Sequence, residues 1–212
     1  MVVIIIFITL LLPLAIVWLI GGGGEGQSPI ESGKVSVYVS EEDCVKDMDI
    51  NEYLKCVVAA EMPADFEEEA LKAQAVAART YLYSHIAEKD KGNIAESHNG
   101  AAICTDSTHC QAYISEDKRR ESWGAGAEEN WNKISTAVDE TTGQIMTYND
   151  EIISAVFHST SSGITESAVD VWGADVPYLQ SVASTGDEES PKYHSELTLS
   201  EQEFKKYCGR KN

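Results

Sequence analysis

The chain has 212 residues and a formal net charge of −19, from 16 basic and 35 acidic side chains. This balance argues against nucleic acid and anionic lipid as binding partners, because both are themselves negatively charged. Residues 34–212 are numerous enough for one substantial domain with its own hydrophobic core.

The first twenty residues, MVVIIIFITLLLPLAIVWLI, contain no charged side chain. About 20 apolar residues are enough for a helix to cross the hydrocarbon layer of a membrane, so residues 1–20 are predicted to form a transmembrane anchor. A cleaved signal peptide is the alternative, since four glycines follow the apolar run. Residues 21–33 (GGGGEGQSPIESG) predict a flexible tether.

Residues 34–40 (KVSVYVS) alternate apolar and polar side chains, which predicts a strand. Asp49, with Glu52 three residues later, resembles a capping box at the start of a helix. Pro63 ends this helix because it disfavours helical geometry at the preceding residue. The apolar residues of this helix have the spacing of one buried face: Ile50, Tyr53, Leu54, Val57 and Val58.

A second helix is predicted from an Asp65 cap to about Lys89, with Glu67–Glu69 in its first turn, where they complement the helix dipole. Residues 90–126 look irregular, and a long irregular segment inside a compact domain is usually functional. The predicted apolar stripe of the second helix is Leu71, Ala75, Ala78, Leu82 and Ile86.

A third helix is predicted at 128–139, with Trp131, Ile134 and Val138 on one side. Two strands, Gln144–Tyr148 and Glu151–His158, then surround Asn149-Asp150 and predict a hairpin. Mixed helices and short strands indicate an α+β domain.

Glu61 stands out in the stretch VVAAEMP, at the end of the first helix. It follows Val58 and Val57 by three and four residues, which places it on the apolar face. It also lies in the last turn, where exposed carbonyl groups disfavour negative charge. Both effects favour a protonated carboxyl group that can donate a proton to a leaving group. The alternative is a structural glutamate that turns to solvent or pairs with Arg79.

Two histidines and two cysteines lie within thirteen residues of the irregular segment: His98, Cys104, His109 and Cys110. Zinc takes such ligands tetrahedrally and can close a loop, so the four predict a structural zinc site. A Cys104–Cys110 disulfide is the alternative. Five cysteines leave at least one without a disulfide partner in the chain, and Cys56 is predicted to lie in the core.

Five collinear motifs over about residues 50–185 resemble the stage II sporulation protein D family, the peptidoglycan lytic transglycosylases of endospore-forming bacteria, which is related to amidase-enhancer proteins. They are AAEMPADFEEEALKAQAVAARTYLY, THCQAY, AVDETTGQIMTY, FHSTSSGITESAVDVWG and VPYLQSV. In the family, the glutamate of the E-M-P motif is the catalytic acid and base, and the matching residue is Glu61. The C-terminal FKKYCGRKN ends short of the family's usual extent, so a truncated catalytic domain is expected.

The resemblance implies cleavage of the bond between N-acetylmuramic acid and N-acetylglucosamine. Ordinary glycosidases use two carboxylates. In a lytic transglycosylase the sugar's own 6-hydroxyl attacks and gives a 1,6-anhydro product, so one carboxyl group is enough.

The resemblance also implies the residues that contact the glycan. Hydroxyl and amide groups can hydrogen-bond sugars, although a loop rich in serine and threonine can equally be a polar turn that caps itself. The chain has Ile164 where the family pattern leads us to expect a second glycine. Some family members carry a Cys/His zinc site in the region of 98–110. The implied binding residues are Gln111, His158, Ser159, Ser161, Ser162, Gly163 and Thr165, with Arg79 as either a site residue or a structural one.

The expected protein is thus a single-pass membrane protein with an extracytoplasmic catalytic domain. The resemblance implies that it lies in the mother-cell membrane, facing the forespore, during engulfment. By resemblance, it would work with other sporulation membrane proteins, including a peptidoglycan amidase/endopeptidase whose product, denuded glycan, is the substrate. One alternative is a non-catalytic glycan-binding activator of an amidase. Another is a zinc amidase, which ranks last because four protein ligands leave no position for catalytic water.

Overall fold

The computed structural model describes residues 33–93, 95–190 and 193–208, without the side chains of Asp90 and Cys208. The predicted anchor and nearly all of the predicted tether lie outside these residues. In the described part of the chain, no helix has both the length and the apolar character of a membrane span. The described residues form a mixture of helices and short strands, which confirms the α+β class. The described residues form two compact units, and the division between them falls between Ala155 and Val156.

A three-stranded sheet opens the first unit. Its central strand β1 (Lys34–Val39) is antiparallel to β2 (Cys44–Asp49) and parallel to the short β3 (Ile103–Cys104). The alternation in β1 is confirmed, with Val35 and Val37 buried in the core. The sequence did not predict β2, because its side chains are half-buried or exposed and carry no apolar alternation.

Helix α1 (Ile50–Glu61) follows β2 directly. The Asp49 carboxylate caps it by accepting hydrogen bonds from the backbone N–H groups of Asn51 and Glu52, at 2.9 and 3.2 Å. The cap and the helix end before Pro63 are as predicted. The predicted face is buried throughout: Ile50, Tyr53, Leu54, Val57 and Val58.

Helix α2 (Glu68–Asp90) begins two residues later than predicted, because Glu67 rather than Asp65 is its cap residue. The preceding residues form a turn in which the Phe66 N–H donates to the Pro63 carbonyl at 3.3 Å. Lys133 donates to the Phe66 carbonyl at 2.6 Å, which ties this turn to the next part of the fold. Asp65 therefore lies in this turn, before the helix begins.

Helices α3 (Glu116–Trp123) and α4 (Ala127–Glu140) complete the helical layer, and α1, α2 and α4 pack on one another. The predicted α4 face is confirmed, since Trp131, Ile134 and Val138 are buried. Helix α3 lies in the segment that was predicted to be irregular. It buries no residue, so its sequence carries no apolar period to reveal it.

The predicted hairpin is present but shorter. Strands β4 (Thr147–Tyr148) and β5 (Glu151–Ile152) pair antiparallel. Both turn residues have positive φ, 51° at Asn149 and 65° at Asp150, as a two-residue hairpin turn of this class requires.

The described part of the second unit contains two α-helices, α5 (Ala168–Trp172) and α6 (Glu201–Cys208), which the sequence did not predict. Helix α5 is only five residues long, with a cap at Ser167. An isolated antiparallel bridge joins Ile164 to Ala183.

Candidate active site and metal centre

Glu61 is the last residue of α1 and is half-buried. Its Oε1 accepts a hydrogen bond from the backbone N–H of Ala112 at 2.7 Å. An ion pair with Arg79, one of the alternatives for this glutamate, is absent among the described residues. The carboxylate is therefore fixed through one oxygen by a neutral backbone donor.

The segment around Ala112 runs along α1. Two residues further on, the N–H of Ile114 donates to the Cys56 carbonyl at 3.4 Å. The ring of Tyr113 stacks on Tyr53, with 5.8 Å between centroids. These contacts set the position of the Ala112 N–H group, and so of the Glu61 carboxylate.

Glu61 lines an open cleft of about 500 Å³. Several of its other lining residues were not predicted as site residues from the sequence. Asp65 is one of them: the sequence predicted it as the cap of α2, but α2 begins after it and Asp65 lines the cleft instead. The remainder come from α3 and α4, and α3 was not predicted at all: they are Arg119, Trp123 and Asn130.

Gln111 is 7% exposed, and neither its Nε2 nor its Oε1 has a hydrogen-bond partner among the described residues. A buried polar group left unsatisfied costs about 1–3 kcal/mol. Gln111 immediately precedes the residue that holds Glu61. The amide is therefore a buried group without a partner in the described fold, and Gln111 does not itself line the cleft that contains Glu61.

Arg79 is 1% exposed, and its guanidinium group is saturated within the fold. It donates to the carbonyls of Thr141 and Val138 at 2.6 and 3.0 Å, at the C-terminal end of α4. It also donates to the Asn51 side chain at 3.1 Å. Burial lowers the pKa of this guanidinium below its ordinary value. The contacts favour the structural alternative for Arg79: it braces α2 against the carbonyl end of α4.

The four predicted metal ligands converge. One donor atom from each of His98, Cys104, His109 and Cys110 lies within 4.8 Å of every other. His98 Nε2 is 3.1 Å from His109 Nδ1 and 3.2 Å from Cys110 Sγ. His109 Nδ1 is 3.6 Å from Cys104 Sγ and 3.4 Å from Cys110 Sγ. Both cysteines are free thiols, so the structure does not contain the alternative disulfide.

A tight turn allows adjacent His109 and Cys110 to face the same point. Their N–H groups both donate to the Asp106 carbonyl, at 3.1 and 2.8 Å. The Asp106 carboxylate also accepts from the N–H of Thr108 at 2.9 Å. An aspartate bonded to the residue two places ahead is a standard way to stabilise such a turn.

The donor set fits zinc. A tetrahedral site with two sulfur and two nitrogen ligands holds its donors roughly 3.3–3.8 Å apart, given bond lengths of about 2.0–2.3 Å. Burial, and then the neighbouring His109 and His85 rings, lower the pKa of His98, which keeps its ring neutral as a metal ligand requires. The second ring nitrogen of His109 is 3.0 Å from Ser97 Oγ, an orienting contact typical of metal-binding histidines.

The predicted glycan-binding loop lies in the second unit, and several of its polar groups bond to other residues of that unit. Ser161 donates to the Asp187 carboxylate through both its N–H group, at 2.8 Å, and its hydroxyl. These bonds lower the pKa of Asp187. Thr165 Oγ1 accepts from the Val182 N–H at 2.9 Å. Gly163 has φ +94°, which a residue with a side chain rarely adopts.

A second cleft, of about 520 Å³, lies in this unit. It is lined by four of the predicted binding residues: His158, Ser161, Ser162 and Thr165. Exposed apolar side chains supply much of the remaining wall, including Trp172 and Phe157, which are 60% and 45% exposed. Faces of aromatic rings beside hydroxyl groups suit a sugar ligand.

Comparison with known proteins assigns the family. The SpoIID family model, described as stage II sporulation protein, matches residues 38–148. The chain belongs to this family. It is 39% identical to stage II sporulation protein D of Bacillus subtilis (strain 168) over 189 residues. These residues make up 88% of this chain and 54% of that protein. The corresponding protein of Bacillus amyloliquefaciens is 39% identical over 183 residues, 86% of this chain and 51% of its own length.

A further family relative is named amidase enhancer, from Bacillus subtilis (strain 168). It is 36% identical over 151 residues, or 71% of this chain and 17% of the relative. The chain spans about half the length of the two sporulation proteins it matches. The family resemblance read from the five motifs is thereby confirmed.

Proposed function

We propose that this chain is a peptidoglycan lytic transglycosylase in which Glu61 is the catalytic acid and base. The observation that carries the proposal is the placement of Glu61 at an open cleft, held through Oε1 by a single backbone donor. Membership of the sporulation family supports it.

In the proposed reaction Glu61 first gives its proton to the glycosidic oxygen between N-acetylmuramic acid and N-acetylglucosamine. The bond from the anomeric carbon to that oxygen breaks, and the 6-hydroxyl of the same muramic acid residue forms a new bond to this carbon. Glu61 takes the proton of that hydroxyl and returns to its starting state. The Ala112 N–H group orients the carboxyl group throughout.

Zinc held by His98, Cys104, His109 and Cys110 would have a structural role, since four protein ligands leave no open position for substrate. Bound zinc supplies a cross-link that closes the 98–110 loop. Gln111 and Ala112 follow the last of these ligands directly. The proposed metal centre therefore fixes the segment that orients Glu61.

For glycan binding in the second unit, we assign His158, Ser159 and Ser162, whose exposed side chains lie on the predicted loop. Ser161 and Thr165 shape the loop through the bonds described above. Gly163 allows its backbone turn. In the first unit, Gln111 is the assigned glycan contact.

The proposed setting follows the family. The chain would be anchored by residues 1–20 in the mother-cell membrane, with its catalytic part outside the cytoplasm. Its proposed partners are glycan strands and other sporulation membrane proteins, among them an amidase/endopeptidase that removes peptide stems. Nucleic acid is not a proposed partner, given the charge of −19.

The test is digestion of peptide-free glycan by the full chain, with products identified by mass spectrometry. Wild type should give anhydro-muramyl ends. Glu61→Gln should abolish them while keeping an acceptor for the Ala112 N–H, so its melting temperature should be unchanged. Asp65→Asn is the matched control, because Asp65 lines the same cleft. Hydrolytic products that depend on both carboxylates would replace this proposal with a two-carboxylate glycosidase.

The relative named amidase enhancer favours a second function, a non-catalytic glycan-binding activator of an amidase. Under that function wild type binds glycan, forms no anhydro product and stimulates a cell-wall amidase. Glu61→Gln would then retain the stimulation in full.

A further inference from the structure

Arg119 is the unpaired arginine of the described chain. Its neighbour Arg120 is bound to Glu116 at 2.6 Å and to Glu128 at 2.7 Å, and Arg79 is saturated by α4 carbonyls. Among the described residues, the Arg119 side chain has neither an ion pair nor a hydrogen bond, and its Nε is buried without a partner.

The guanidinium group of Arg119 is supported from one side. It lies over the Trp123 ring, 4.9 Å from its centroid. Trp123 in turn packs against Trp131, which is 5% exposed and part of the core, with ring centroids 6.5 Å apart. Trp123 thus supports the guanidinium group on one side, which reduces the conformational entropy that this group would lose on binding a ligand.

Arg119 and Trp123 line the cleft that contains Glu61, where Arg119 is the one basic residue among the described lining residues. The cleft also contains Asp65, and the chain as a whole is strongly acidic. An anionic ligand would be repelled by this field everywhere except close to a local positive charge. A cation with an unsatisfied donor therefore lines the same cleft as the proposed catalytic carboxyl group.

We propose that Arg119 is a carboxylate-binding subsite that recognises the free lactyl carboxylate of muramic acid. This inference rests on the proposed function, because it takes the glycan strand as the ligand of the Glu61 cleft. In peptide-free glycan the lactyl group ends in a carboxylate, which a guanidinium group can bind with two parallel hydrogen bonds. In peptide-bearing glycan the same carboxyl is an amide, which lacks the charge.

The binding test uses the full chain with Glu61→Gln, so that no turnover occurs. Its ligands are a muramic-acid tetrasaccharide with free lactyl carboxylates and the same tetrasaccharide with these groups converted to N-methylamides. Calorimetry should show that the carboxylate form binds roughly tenfold or more tightly, the usual effect of a charge-assisted hydrogen bond. The preference should shrink as salt is raised.

Adding Arg119→Gln should remove the preference by weakening only the carboxylate ligand, and Arg119→Lys should retain part of it. Arg120→Gln is the matched control, since Arg120 is adjacent in sequence but does not line the cleft; it should leave the preference intact. Because both ligands are measured on each variant, partial unfolding cannot produce a change in their ratio. Two results would overturn the subsite. One is a preference for the carboxylate ligand that survives Arg119→Gln, and the other is equal binding of the two ligands by the chain that still has Arg119.

The outcomes separate this inference from the proposed reaction. If the wild-type chain forms no anhydro product yet Arg119 still sets the preference, the transglycosylase fails and the subsite stands. If product forms but the preference ignores Arg119, the subsite fails and the reaction stands.

Discussion

The cleft around Glu61 and the loop at residues 158–165 differ in how their polar groups are satisfied. Near Glu61, the Gln111 amide and the Arg119 Nε are buried without partners among the described residues. In the loop, Ser161 and Thr165 bond to Asp187 and Val182 in the same unit. Polar groups that already have partners maintain the shape of a loop. Buried groups without partners lower the stability of the fold until a ligand binds them. This contrast predicts which substitutions affect function and which affect the fold.

Removal of the metal-binding set should have the largest effect on the Glu61 side. Cys110→Ser, or treatment with a chelator, should lower glycan cleavage by roughly 100-fold or more, because the 98–110 loop loses its cross-link and Ala112 loses its position. Metal content and cleavage rate are measured on the same samples. Cys44→Ser is the control, since Cys44 lies outside the cluster. Full activity in a metal-free chain would refute the structural role of zinc.

Arg79→Met should unfold more easily than wild type by roughly 2–4 kcal/mol, since the carbonyls of Thr141 and Val138 lose the hydrogen bonds that the buried guanidinium group donates. Denaturant titration measures this loss. Lys91→Met is a fitting comparison, because Lys91 is exposed and pairs only with Glu88 among the described residues. If Arg79→Met instead kept its stability and lost only glycan affinity, Arg79 would be a substrate-binding residue after all.

Gln111→Ala should separate function from stability. Cleavage should fall roughly tenfold, through the loss of one or two ligand hydrogen bonds. Stability should stay the same or rise, because the unsatisfied amide is removed. A clear drop in melting temperature would mean that Gln111 is satisfied within the fold, and the contrast with the loop would disappear.

Ser161→Ala should give the smallest effect, and its pattern should be the opposite of that of Gln111→Ala. The loop should become less stable, whereas the rate of glycan cleavage should change little. The pKa of Asp187 is lowered by its bonds from Ser161. A carboxyl group with a lowered folded-state pKa stabilises the fold above its unfolded pKa of about 3.9, and this is lost as the pH falls through the folded value. The protection factor of the Ser161 amide, which compares its exchange rate with that of an unfolded peptide at the same pH, should therefore fall in acid in wild type. A protection factor that is the same at both pH values would contradict the Asp187 anchor.

The parts of the fold that bury an apolar face could be predicted from sequence. The β1 alternation and the faces of α1 and α4 are examples, because burial imposes a period on the residues. Helix α3 could not be predicted, since it buries nothing. The start of α2 was misplaced because the turn at Phe66, bound by Lys133, is a tertiary contact that no local signal shows.

The same limit applies to the candidate site. Glu61 and the four metal ligands could be selected because their residue types are unusual for their positions. Arg119 and Asp65 could not, since each sits among other charged residues and is distinguished only by the cleft it lines. Whether a charged side chain has a partner is a property of the folded chain, which explains why Arg119 and Arg120 look alike in sequence and differ in structure.

The most direct test of the account is to digest peptide-free glycan in water labelled with heavy oxygen and to weigh the products. If Glu61 acts alone and the sugar's own hydroxyl attacks, wild type gives anhydro ends without the label, and Glu61→Gln gives none. Labelled reducing ends as the initial product, or anhydro ends formed by Glu61→Gln at the native rate, would contradict the assignment of Glu61.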